Sequence, residues 1–482
     1  MNLPLLRRLT PLFECLGRPR TLVALFLLCA LPTGLGCAML SPLGAPPDEM
    51  AALARVDGLR LGQVLNAPPP PSGSPGVLID SGVSDLILSM DGLIFSGYDT
   101  NGNVPPSLLA RAAAIHWSGT NTFCMTQMVM YSPVFYAPAT LGLWAGKAAG
   151  MGPFHAAYLA RVLMLLTYIA MGAAALRLAR FGGGLLFVAL TLPTSIFLGA
   201  SCNQDGQLIA ACALAAALLT RVKPAAWWGA LALLTAITLG KISYGLLMLF
   251  CLAPLRGPGI ARRAGAVALA ALLPGLWLLH IHNLGFAPWP WPPYHPGPLW
   301  PGDRTVWLHD ARPENNVRVL LAHPAQILLL PLHSLAAHWH DTWRRILACV
   351  SVDFVLLRPW EYPCLVAALG FAAMAPAAPG RHWLAADAGL GLLILFGSFM
   401  GVELSLYLTY TPAGEALVAG VQGRYFLLLL PFCIFPLSWI MARLPWRGLP
   451  AGLFCLPGVA LALVNILALP LFLFQLFRMA GP

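Results

Sequence analysis

The chain has 482 residues, of which 59% are hydrophobic and 10% charged; a soluble domain carries about 25% charged residues, so lipid must cover much of this surface. The net charge of +10 would suit nucleic acid in a soluble protein. Here the basic residues sit in short gaps between apolar runs, the positive-inside pattern of a membrane protein, and no nucleic-acid partner is assigned. The 11 cysteines lack metal-ligand spacing. Most lie in apolar runs (Cys29, Cys212, Cys251, Cys433, Cys455), where a thiol acts as a small hydrophobe, and no disulfide framework is expected.

Residues 1–20 carry Arg7, Arg8, Arg18 and Arg20 and read as a cytoplasmic N-terminus. The apolar run behind them, 21–40, is longer than a signal-peptide core and is read as an uncleaved first span. Residues 41–154 form a large first outer loop; its part 41–131 holds seven acidic residues and three arginines, and includes Cys124 and the tract Pro68–Pro71. Loops this long are usually functional. The stretch 132–149 is apolar but interrupted, and is expected to lie as a helix on the outer membrane face. Further spans are placed near 155–177, 182–200, 203–221, 225–240, 242–255 and 264–284. A second outer segment, 285–360, starts with the Pro- and Trp-rich run Phe286–Tyr294 and carries His295, His309, His323, His333, His338 and His340, read as mostly interfacial or solvated. C-terminal spans follow near 361–378, 382–402, 424–441 and 449–475. The fold class is therefore an all-α, multi-pass helical bundle of about eleven spans, or up to about thirteen if both apolar runs in 317–357 cross. Arg177, Arg180, Arg221, Lys223, Arg256, Arg262, Arg263, Arg381, Arg443 and Arg447 then all fall on the cytoplasmic side.

Four features lie on the opposite side. Pro46-Pro47-Asp48-Glu49 sets two carboxylates just beyond the first span. One reading is an N-cap, with Asp48 capping a helix that starts at Glu49. The other is a general base beside a group that binds a cation or a substrate hydroxyl. Ser201-Cys202-Asn203-Gln204-Asp205 brings Asp205 to the start of another helix, again as a cap or as a site carboxylate. Lys241 and Tyr244 sit at an outer turn, where a lysine either snorkels to headgroups or neutralises a phosphate. Arg424, in Gln422-Gly423-Arg424-Tyr425, opens an apolar span against the charge bias; its planar fork suits a phosphate, and the alternative is an interfacial anchor. No Walker loop, Ser-His-Asp order or GxGxxG run is present.

Carboxylates beside cations at a lipid–water boundary suit a lipid-phosphate substrate, and so a sugar transfer from a lipid-linked donor. A transporter would place ionisable groups near the midplane, and the spans are nearly free of acidic residues. The alternatives carried are a flippase or exporter of lipid-linked glycans and a non-catalytic membrane scaffold.

Ala45-Pro46-Pro47-Asp48-Glu49, Tyr131-Ser132-Pro133, Ser201 to Asp205, Leu239-Gly240-Lys241-Ile242-Ser243-Tyr244, and Tyr407-Leu408-Thr409-Tyr410-Thr411-Pro412 to Gly423-Arg424-Tyr425-Phe426 occur in this order. Together they resemble a bacterial family of predicted membrane proteins, domain of unknown function family 2142. That family looks like a branch of the GT-C glycosyltransferase superfamily. The resemblance implies a polyprenyl-phosphate sugar donor, a lipid or glycan acceptor of the cell envelope, and transfer at the periplasmic face of the bacterial inner membrane. It implies Asp48 as the leading catalytic residue and Glu49 as the second, with a divalent cation (Mg or Mn) held, if anywhere, by that pair. Our own reading adds Asp205, Lys241, Tyr244, Gln422, Arg424 and Tyr425 as donor contacts. Relatives often carry His three positions after the Glu of the acidic motif, where this chain has Ala52.

Overall fold

The computed structural model describes residues 4–65, 75–96, 106–221, 223–255, 259–283, 313–350, 358–375, 385–411, 415–444 and 449–477. The Pro68–Pro71 tract, the Phe286–Tyr294 run, His295 and His309 lie outside the described residues.

Helices dominate because the apolar runs are long and rich in Leu and Ala, and a backbone in lipid must satisfy its hydrogen bonds within the segment. Among the described residues, five helices are long and apolar enough to cross a membrane: Pro19–Leu40, Pro153–Leu178, Ile260–Asn283, Ala385–Tyr410 and Ala451–Phe477. At 1.5 Å per residue the shortest of them, of 22 residues, is about 33 Å long, enough for the hydrocarbon core. Their outward faces are bare leucine: Leu269, Leu393 and Leu467 are each more than two-thirds exposed, at 68, 69 and 69%.

The remaining expected spans take shorter or broken forms. The 182–200 run is split into Gly183–Thr191 and Pro193–Gly199 at Pro193, which has no N–H to give the preceding turn. The 242–255 run is a 3-10 helix over Ile242–Leu252. The 424–441 run is two 3-10 turns, Gly423–Leu428 and Leu430–Cys433, followed by the short helix Ile434–Met441. In the 285–360 segment the chain bends by 111° between Asn316–Ala322 and Gln326–Leu347. Among the described residues, the spans long enough to cross thus number five, or six if that bent pair is one span, against the eleven to thirteen expected.

Asp205–Leu219 lies at the centre, between Pro153–Leu178 on one side and Pro224–Gly240 on the other. Its alanines, including Ala210, Ala211, Ala213, Ala215, Ala216 and Ala217, are fully buried, and small side chains allow neighbours on every side. At one end of the bundle, Arg221 Nε donates to the Leu178 carbonyl at 2.8 Å and Thr220 Oγ1 accepts from Arg180 N at 2.9 Å. The opposite end carries the 41–154 segment.

That segment is more ordered than a loop, and it departs from an all-α description. Glu49–Arg60 and Ser81–Ser96 pack beside a two-stranded antiparallel sheet of β1 (Gly76–Asp80) and β2 (Asn121–Met125), in register from Gly76 opposite Met125 to Asp80 opposite Asn121. The Gln63 side-chain amide pairs with both backbone groups of Leu78, at 2.6 and 2.8 Å. Buried Asp57 takes Arg60 Nε at 2.6 Å and Asp80 N at 2.7 Å. Asp80 takes Gly82 N and Ser118 N, both at 2.9 Å, and the Ser118 hydroxyl at 3.0 Å. Trp117 lies between Arg60 and Lys147, whose charged groups are 4.8 and 4.5 Å from its ring centroids. The stretch expected to be helical is the helix Ala137–Ala148, preceded by a turn over Pro133–Tyr136. It folds back on Pro153–Leu178 at very close range. A Cβ on Gly142 would stand 2.5 Å from Ala160 Cα, and one on Gly146 2.7 Å from Ala156 Cβ.

Candidate active site

The four outer features of the sequence meet at one end of the bundle. Asp48 precedes the helix Glu49–Arg60 in the cap position, but with φ of 59° and ψ of 13°, and its side chain makes no cap bond. It is the one non-glycine residue with positive φ among the described residues. That conformation costs an ordinary residue roughly 1 kcal/mol or more and persists only where its surroundings impose it. The capping expectation is therefore corrected: the carboxylate turns away from the helix and meets Arg424, with Oδ2 2.5 Å from Nη2.

Arg424 is fixed from several sides. Its Nε lies 3.5 Å from Asp205 Oδ2, and its Nη2 3.4 Å from the Tyr425 hydroxyl. The 3-10 turn Gly423–Leu428 that carries it is tied down by Tyr244, whose hydroxyl donates to the Tyr425 carbonyl at 2.7 Å. Gly423 is pressed against Gln326–Leu347: a Cβ there would be 2.3 Å from the Thr342 carbonyl oxygen. Gln422, half-buried, precedes the turn and its carbonyl accepts Tyr425 N at 3.1 Å.

Asp205 is not the cap of its helix either. Gln204 holds that position, and Asp205 is the first helical residue, its N–H given to Asn203 Oδ1 at 3.0 Å. Its carboxylate pairs with Lys241 Nζ at 2.6 Å, so Lys241 points inward rather than to headgroups. Gly206 permits this: a Cβ at 206 would be 2.4 Å from Gly199 Cα, so the turn between the two helices closes only without a side chain. Lys241 Nζ also lies 4.7 Å from the Tyr425 ring and 5.7 Å from that of Tyr131. Ser132 N donates to the Leu239 carbonyl at 3.2 Å, which anchors Tyr131 there. Burial pushes the Tyr131 hydroxyl up to about 12, against the opposing pull of Lys241.

The result is an alternating row, Asp48–Arg424–Asp205–Lys241, two negative charges against two positive, walled by Tyr131 and Tyr425. The side chain of Asp48 is 44% exposed, while those of Arg424, Asp205 and Lys241 are 3, 2 and 12% exposed. Arg424 Nη1 is buried and has no hydrogen-bond partner among the described residues. A buried unpaired donor costs about 1–3 kcal/mol, more when charged, so this one is poised for an anionic oxygen.

Glu49 goes elsewhere. Its two oxygens take Arg161 Nε at 2.7 Å and Nη2 at 2.5 Å, Gly44 N at 2.8 Å and Cys202 N at 3.0 Å. Arg161 spends its other N–H groups on the carbonyls of Ala38, Ser41 and Pro42, at 2.7–2.8 Å. Asn203 Nδ2 completes the junction on the Pro47 carbonyl at 2.8 Å. Arg161 and Tyr131 were not singled out as site residues in the sequence. Arg161 had a signal, since it is a charge inside an apolar span.

The pair Asp48 and Glu49 does not fit a shared divalent cation. Glu49 is filled by Arg161 and two backbone N–H groups, and Asp48 already faces Arg424. Among the described residues no group of three or more His, Cys, Asp or Glu side chains converges for metal binding. Ala52, at the position where relatives carry His, is fully buried with its N–H on the Asp48 carbonyl at 2.9 Å.

The fold and site together define a multi-helix integral membrane protein with a charged cluster gathered at one end of its bundle. The chain belongs to a family of predicted membrane proteins, DUF2142, whose model matches residues 31–433. No curated protein and no solved structure matches it.

Proposed function

We propose that this protein is a GT-C-type glycosyltransferase, moving a sugar from a polyprenyl-phosphate donor to a lipid or glycan acceptor of the cell envelope. In this reading it sits in the bacterial inner membrane with its N-terminus in the cytoplasm. The shorter and broken helices complete a bundle of about eleven crossings, and Asp48 faces the periplasm.

One observation carries the reading: an exposed carboxylate held in a strained backbone conformation beside a buried arginine with a free Nη1. Asp48 accepts the proton of the acceptor hydroxyl as its oxygen bonds to the anomeric carbon. The bond from that carbon to the donor phosphate breaks, and the leaving polyprenyl phosphate takes the electron pair. Arg424 Nη1 and Lys241 Nζ meet the charge that develops on the phosphate oxygens. Asp205 keeps both cations in place. Tyr244 and Gln422 position the turn that carries Arg424, and Tyr425 lines the donor side. Glu49 serves as the anchor of the loop that presents Asp48, and no step is assigned to a metal.

The test is transfer by the full chain reconstituted in vesicles with polyprenyl-phosphate sugars. Asp48→Asn is expected to abolish transfer while the protein inserts and melts as the wild type does. Full activity in that variant removes Asp48 from the mechanism.

A further inference from the structure

A second polar region stands apart from the charged row. A cavity of about 570 Å³ opens between Pro313–Ala322, the first turns of Gln326–Leu347, and the end of Ala385–Tyr410. Arg318, His323 and His333 stand at its exposed mouth, and Glu415 and Tyr407 also line it. Tyr407 is fully buried, yet its hydroxyl has no hydrogen-bond partner among the described residues.

It is not alone. Asn316, on one of the lining helices, gives its Nδ2 to the Tyr407 and Thr411 carbonyls at 2.6 and 2.8 Å, but its buried Oδ1 has no partner. Buried Glu403, one helical turn from Tyr407 on the same face, has the Ser334 hydroxyl of the facing helix as its neighbour and lies behind the lining. Protein interiors rarely leave a buried polar atom unsatisfied, and each such group calls for an explanation. Here the orphaned Tyr407 hydroxyl shares the cavity lining with the side chains of Gln326 and Glu415.

Their chemistry selects the ligand. The Tyr407 hydroxyl and the Gln326 amide both donate and accept, whereas the Glu415 carboxylate only accepts. That set matches a molecule rich in hydroxyl groups. It opposes a phosphate, because the Glu415 carboxylate would stand against it and Arg318 is the only fixed cation among the lining residues. The volume falls within the roughly 300–1,000 Å³ of small-ligand pockets, which suits a short saccharide.

We propose that this cavity binds a neutral sugar unit, with Tyr407, Gln326 and Glu415 reading its hydroxyl groups. Its role as acceptor subsite rests on the transferase reading, but sugar binding is measured without transfer. The experiment is calorimetric titration of the detergent-purified full chain with cellobiose, chitobiose and mannobiose, and separately with inorganic phosphate. At least one disaccharide is expected to bind. Tyr407→Phe and Glu415→Gln, which alter one polar group of the lining each, are expected to weaken it about tenfold or more. The bound disaccharide is also expected to shield His323→Cys from a maleimide. Binding of phosphate but no disaccharide, no binding of either, or disaccharide binding indifferent to both substitutions overturns the proposal. Sugar binding without transfer from any polyprenyl-phosphate donor leaves the cavity assignment standing and removes the transferase. Transfer with no sugar binding does the reverse.

Discussion

Asp48 and Glu49 are neighbours in sequence, and each meets an arginine from a distant helix, yet the two pairs are built to opposite ends. Glu49 and Arg161 are both fully buried, and every carboxylate oxygen has two donors. Asp48 is nearly half exposed, and its partner keeps one buried amino group unused. A saturated pair closes a junction, here between the turn before Glu49, Pro153–Leu178 and the 201–205 loop. An unsaturated pair leaves an interaction to be made by something that arrives. The number of unfilled valences, more than the presence of charge, separates the two.

Substitutions in the two pairs should therefore fail in different ways. The largest effect is expected for Asp48→Asn: transfer falls by about 10²–10⁴-fold, the span of general-base contributions, with an unchanged melting temperature in detergent. Arg161→Ala strands the Glu49 carboxylate in the interior and should cost about 3–5 kcal/mol, seen as a large drop in melting temperature or loss of folded protein on size exclusion. If Arg161→Ala melts like the wild type, the contrast between the pairs collapses. Arg424 comes next. Arg424→Ala should raise the donor KM more than Arg424→Lys, which keeps a charge but loses the fork; equal effects would make it an anchor only.

The smallest effect lies in the β1–β2 sheet. Burial raises the Asp57 carboxyl above the ordinary carboxylate range, and Arg60 pulls against it. Burial also acts to raise Asp80, but the donors from Ser118, Gly82 and Gly119 outweigh it and hold that carboxyl low. The folded form with a raised pKa binds more protons, so Asp57 adds stability as the pH falls through that pKa. Asp80 adds stability that is present above the unfolded pKa, near 3.9, and lost as pH falls through its lower folded value. Following Trp117 fluorescence below about pH 5, Asp80→Asn should make this subdomain less sensitive to acid and Asp57→Asn more sensitive. Shifts in the same direction would break the assignment.

Much of this was legible in the sequence, and the reasons for the rest are physical. Membrane character, the family, and the meeting of Asp48, Asp205, Lys241 and Arg424 followed from apolar runs, charge bias and motif order. The turn around Asp48 did not, because a left-handed aspartate before a helix looks the same in sequence as an ordinary cap. The break at Pro193 and the 3-10 run Ile242–Leu252 reduced the long spans because an apolar run specifies burial, while its proline positions and packing decide its continuity. The β1–β2 sheet is formed by two five-residue strands 40 residues apart, too short and separate to announce their pairing. Glu403 looked as if it lay past the end of a span, but Ala385–Tyr410 continues beyond it and places an acidic residue inside the helix.

The closeness of Gly423 to the Thr342 carbonyl has one more consequence. The helix that Gly423 touches, Gln326–Leu347, also forms one wall of the 570 Å³ cavity. Between the two contacts the helix is kinked at His338, where φ is −108° and ψ 15°. The kink is a joint between the cavity wall, from Gln326 to His333, and the part that presses on Gly423, from Thr342 onward. Lineages that adapt the cavity to a bulkier occupant can therefore move its wall about that joint and leave the alignment of the charged row in place.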